Sequence, residues 1–156
     1  MKQQVIEVLM VEPGREPRIV RLDNSLESLQ TAVSIGADYR GLIEIISLSD
    51  EVCILCNEEG KLIGLEPNRR LWSDVLCGVF YVTGQDKEGN LCSLSAKDME
   101  HYKEFFAIPE SITQDEQITL YSPDSTLYKA QKRNSSLGWV PFSVYFLVAP
   151  ADEPTG

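Results

Sequence analysis

Histidine is nearly missing from this chain. His101 is the only one in 156 residues, so any Ser-His-Asp or Cys-His apparatus would have to use it. A histidine-rich metal site is excluded by count. His101 falls inside a helical segment between Glu100 and Lys103, off the apolar stripe, which is the place of a solvated side chain. Gly-rich phosphate loops are missing too. Neither G-x-G-x-x-G nor G-x-x-x-x-G-K-[ST] occurs, which removes the usual routes to nucleotide hydrolysis. No apolar run approaches the roughly 20 residues that cross a bilayer as a helix. The opening Met1-Lys2-Gln3-Gln4 leads straight into a strand-like segment rather than an apolar signal region. The expectation is a cytoplasmic protein with no membrane association.

Basic residues are also short. Lys and Arg number 14 against 24 Asp and Glu, for a net charge of −10. Such a surface repels phosphate backbones, so direct nucleic-acid binding is not expected. It favours solubility and basic partners, and it leaves open an acidic surface that imitates DNA. Carboxylates such as Asp50, Glu51, Glu58, Glu59, Glu100, Glu104, Asp115 and Glu116 lie at turns and polar helix faces. Acid–base chemistry needs two of them in one cleft with separated pKa values, which spacing alone does not establish.

Four cysteines are present. Cys53 and Cys56 have the CxxC spacing, but they lie in the apolar strand VCILCN. There, residues three apart point to opposite faces. A redox CxxC opens a helix, and a structural zinc site needs a second close pair, which Cys77 and Cys92 do not form. Buried structural cysteines are the expected reading, with no metal and no cofactor.

What is present is an ordinary globular composition, 43% hydrophobic and 24% charged, on a length that suits one domain. Residues 5–12 read as a central strand and 18–22 as its hairpin partner across Pro13-Gly14 and Pro17. A helix follows, begun by Asn24 or Ser25, with Glu27 at the capping-box position from Asn24 and a stripe of Leu26, Leu29 and Val33. Residues 41–48 are a strand. Residues 52–57 and 61–65 flank Glu58-Glu59-Gly60 as a hairpin, with Gly60 supplying positive φ. Residues 66–74 form a polar connection with one helical turn begun by Pro67. Residues 75–83 make the strongest strand, 84–90 a turn and 91–94 a short returning strand. The second helix is capped by Ser95 with Asp98 three residues on. Leu94 and Met99 form its hydrophobic staple, and its buried stripe is Met99, Tyr102 and Phe106. Further on, 117–121 and 139–148 read as strands and 123–133 as helical.

The expected fold is α+β: a mixed or antiparallel sheet with two main helices, in an element order compatible with a β-grasp-like core. Residues 1–150 are expected to form a single domain and 151–156 a mobile tail.

The segments VEPGREPRIVRLDNSLESLQ, GLIEIISL, ILCNEEGKLIGLEPNRRL and CGVFYVTGQDKEGNLCSLSAKDMEHYKEFF together resemble a small domain-of-unknown-function family. That family is found in phages and integrative conjugative elements, mostly of Gram-positive gut bacteria. The likeness runs from about residue 5 to 106, leaving 107–150 as a C-terminal extension. It implies a mobile-element accessory protein in a bacterial cytoplasm and assigns no activity.

The most informative polar cluster is Asn68-Arg69-Arg70, with Trp72 beside it. Two guanidinium groups and an amide can grip a phosphate or carboxylate. An exposed Trp next to them would suit a contact surface. Structural pairing of the arginines with carboxylates is the competing reading. The functional expectation is a non-enzymatic protein-interaction module with a protein partner. The alternatives are a nucleotide-like anionic ligand on Asn68, Arg69, Arg70 and Trp72, and an acidic DNA mimic.

Overall fold

The computed structural model describes residues 4–112. These fall into two units, 4–68 with 77–110, and the short segment Arg69–Leu76. The strand and helix readings beyond residue 112 lie outside the described residues.

The larger unit is built on an antiparallel sheet. Strands β1 (Val5–Val11), β2 (Arg18–Asp23), β3 (Ile43–Ser47), β4 (Val52–Asn57), β7 (Phe80–Gln85) and β8 (Leu91–Cys92) run in the order β2-β1-β7-β4-β3, with β8 also on β7. Two further short strands, β5 (Pro67–Leu71) and β6 (Asp74–Cys77), pair with each other. Every described pairing in the large sheet is antiparallel. Of the two expected sheet types, the antiparallel one is realised, with helices α1 (Leu26–Ala32) and α2 (Ala96–Phe105).

The central position expected for β1 is what its sequence demands. Apolar residues on both faces of VIEVLMV need cover on both, and β1 sits between β2 and β7. Its even residues Ile6, Val8 and Met10 pack with Leu29 and Val33 at α1 and with Cys53, Leu55, Val79 and Tyr81. The hydroxyl of Tyr81 donates to the Ala32 carbonyl at 2.9 Å, tying β7 to the end of α1. On β7 the other alternation holds Phe80, which meets Phe106 at the end of α2.

Both helix starts were legible in outline. Ser25 is the N-cap of α1, its hydroxyl accepting from Ser28 N–H at 3.2 Å. The expected Asn24–Glu27 box is therefore not the cap. Asn24 instead donates its side-chain amide to the Leu91 carbonyl at 3.3 Å. Leu26 is 67% exposed and leaves the stripe to Leu29 and Val33. At α2, Ser95 caps through the Asp98 N–H at 3.1 Å, as expected. Leu94 and Met99 are both buried, which suits the staple.

Three local expectations are corrected. Residues 61–64 form turns and Leu65 is in no strand, so β4 has no hairpin partner there. Gly60 is not at positive φ. Its need for glycine is spatial, because an added Cβ would lie 2.7 Å from the Cys77 carbonyl oxygen. The run 75–83 is broken at Gly78, whose φ of 86° ends β6 before β7 begins. A continuous apolar run carries no mark of that break except the glycine itself.

Candidate functional site

Residues 66–74 were expected to form a polar connection with a helical turn. They build a β-hairpin instead, and this decides where the candidate residues go. Pro67 opens β5, a position strands tolerate. Trp72 and Ser73 make a two-residue turn into β6. Side chains along β5 then alternate between faces, so neighbours in sequence are separated.

Asn68 is fully buried. Its Nδ2 donates to the carbonyls of Val11 and Gly78, both at 2.9 Å. Those two bonds use both amide hydrogens, and they tie the end of β1 to the glycine before β7. Arg69 is also fully buried, whereas Arg70 is exposed. Arg69 and Arg70, neighbours on one strand, thus differ in their exposure.

Trp72 is 74% exposed at the hairpin turn, with a φ of 56°. It is the only non-glycine residue at positive φ among the described residues. In a two-residue hairpin the first turn position is where a primed turn places glycine. A left-handed conformation costs an ordinary L-residue about 1–2 kcal/mol. The left-handed backbone at Trp72 is not legible in its residue type. Beside it, Asp74 Oδ1 accepts from the Val75 N–H at 2.7 Å.

The cysteines are placed as strand alternation requires. Cys53 lies in the cluster under α1, with Sγ 3.2 Å from Thr83 Oγ1. Burial pushes its thiol up to about 11, partly offset by the Thr83 hydrogen bond. Cys56 approaches the Glu44 carbonyl at 3.8 Å. All four cysteines are free thiols. No group of three or more His, Cys, Asp or Glu side chains that could hold a metal occurs among the described residues.

His101 is exposed on α2. Its ring stands edge-on to Tyr102 at 4.6 Å and roughly parallel to Phe105 at 6.4 Å. No helix among the described residues is long and apolar enough to cross a membrane.

The pattern of the domain of unknown function DUF3846 matches residues 6–107, about two thirds of the chain. The chain belongs to the DUF3846 family. The matched span takes in the antiparallel sheet apart from Val5, the β5–β6 hairpin and both helices. Membership of DUF3846 assigns no role to Asn68 or Trp72. No curated protein and no solved structure matches the chain.

Proposed function

We propose that this DUF3846 domain is a non-enzymatic protein-interaction module, an accessory protein of a phage or integrative conjugative element working in the bacterial cytoplasm. The mobile-element setting rests on the family resemblance. The interaction reading rests on one observation: Trp72 stands 74% exposed at a hairpin tip, at a φ of 56°. Tryptophan is the residue most enriched at the energetic centres of protein interfaces. Backbone strain of this kind persists where the exposed group serves a purpose. Arg70, also exposed, adds a cationic group one residue from the tip strand's end.

Affinity capture from a host-cell extract tests this, with wild-type and Trp72→Gly baits compared. Glycine suits the turn, so the variant keeps or gains stability. The expected result is a protein captured by the wild type and lost with Trp72→Gly. Identical captures from both baits would overturn the reading. A nucleotide panel screened by thermal shift supplies the other arm. A shift lost in Arg70→Ala would transfer the proposal to an anionic ligand.

A further inference from the structure

Helix α2 carries two adjoining stripes. Met99 and Phe106 are buried and Tyr102 is half-buried, and this stripe seats the helix on the sheet. Asp98, His101, Tyr102 and Phe105 follow the i, i+3, i+4, i+7 spacing of a second face beside it. Side chains so spaced are neighbours on a helix surface, and these rings do meet. The planes of His101 and Phe105 are inclined by only 20°, with centroids 6.4 Å apart. Tyr102 stands nearly perpendicular to both, at 87° and 75°.

Packing of the fold does not call for these outer rings. Phe105 is 60% exposed, although the next residue, Phe106, is buried. His101 is exposed as well. Two aromatic side chains of nearly common orientation are therefore held in solvent at the head of a third.

The charges around the rings favour a cation. Asp98 lies in the same stripe, and Ser95 Oγ donates to its Oδ2 at 3.0 Å, which holds the carboxylate in place. It is close enough to act on Tyr102: burial raises the Tyr102 hydroxyl first, and the charge of Asp98 raises it further. Lys97 and Glu104 flank His101 at helical spacing on either side and offset one another. Lys103 is two residues from both His101 and Phe105, a spacing at which side chains do not face each other. The net charge of −10 adds a long-range attraction for basic partners.

We propose that this face of α2 docks an arginine side chain of a basic partner protein, with the guanidinium laid on the rings of His101 and Phe105 and Asp98 as its counter-charge. Aromatic faces attract cations through the ring quadrupole. The guanidinium is planar, delocalised and weakly hydrated, so it stacks on rings where a lysine ammonium keeps its water. A planar cation parallel to one ring of the His101–Phe105 pair is parallel to the other, which is the orientation an ammonium has no means to use. The site stands independently of the Trp72 hairpin.

Titration of the full chain with hexa-arginine and, separately, hexa-lysine at low ionic strength tests this. Calorimetry reads the affinity, and NMR reads the ring protons of His101 and Phe105. Hexa-arginine should bind more tightly than hexa-lysine and shift both sets of ring signals. Phe105→Leu keeps the charge and the apolar bulk but removes the ring. It should weaken hexa-arginine binding about two- to fivefold, the size of an exposed cation–π contact, and leave hexa-lysine binding and the melting temperature unchanged. Trp72→Gly should leave the preference for arginine intact. Equal affinity for the two peptides would overturn the proposal, as would ring signals that do not move. So would a preference for arginine that survives Phe105→Leu, or one that disappears in Trp72→Gly.

Discussion

The ring of Phe106 meets the ring of Phe80 edge-on, with centroids 5.1 Å apart and planes inclined by 72°. Both side chains are buried, so this contact fastens the end of α2 to β7. Deleting a buried Phe costs about 3–5 kcal/mol, a large share of a typical stability of about 5–15 kcal/mol. Phe106→Ala should lower the urea midpoint accordingly. Phe105→Ala, on an exposed neighbour, should change stability by no more than about 0.5 kcal/mol. Equal effects from the two would show that α2 is not anchored through Phe106.

Asn68 is the second anchor. Asn68→Ala removes the donors to the Val11 and Gly78 carbonyls. Leaving a buried polar group unsatisfied costs about 1–3 kcal/mol, so the variant should be destabilised by at least that much. Asn68→Asp should do worse at neutral pH, because a carboxylate then faces two carbonyl oxygens. Chemical denaturation of both variants at pH 7 checks the order.

Glycine substitutions separate strain from crowding. Gly78 and Gly89 share a φ of 86°. A Cβ at Gly78 would lie 2.7 Å from Leu65 Cδ1, whereas at Gly89 nothing lies within 4 Å. Gly89→Ala should cost about 1–2 kcal/mol from backbone strain alone. Gly78→Ala should cost more, and thermal melts of the two should differ in that direction.

Alkaline pH should weaken the fold. Burial raises the Cys53 thiol to about 11 and, chiefly, the Tyr81 hydroxyl to about 12. Both groups hold their proton more tightly folded than unfolded, so between the two values the native state binds more protons. Stability therefore falls as pH rises. For Cys53 the loss should run from about pH 9, the ordinary thiol value, to about 11. For Tyr81 it should run from about 10 to about 12. Melting temperatures across that range should decline, and Cys53→Ala should flatten the lower part of the decline. For the same reason Cys53 should resist alkylation at pH 8 in the native protein.

Much of this fold was written locally. Apolar residues on both faces made β1 a central strand, and Ser95 with Asp98, Leu94 and Met99 marked the start of α2 within a residue. The opposite directions of Cys53 and Cys56 follow from strand alternation alone. Such features rest on interactions within a few residues, which a linear pattern displays. Other decisions belonged to partners far along the chain. Asn68 reads as a polar loop residue until its amide is seen between Val11, 57 positions away, and Gly78. Burial of two backbone carbonyls creates that demand, and nothing near Asn68 in sequence announces it. Leu26 fitted a helical stripe, but how much of the stripe the sheet covers set its exposure. Trp72 shows the division within one residue: its chemistry is carried by its side chain, but its left-handed backbone is imposed by the two-residue turn that joins β5 to β6.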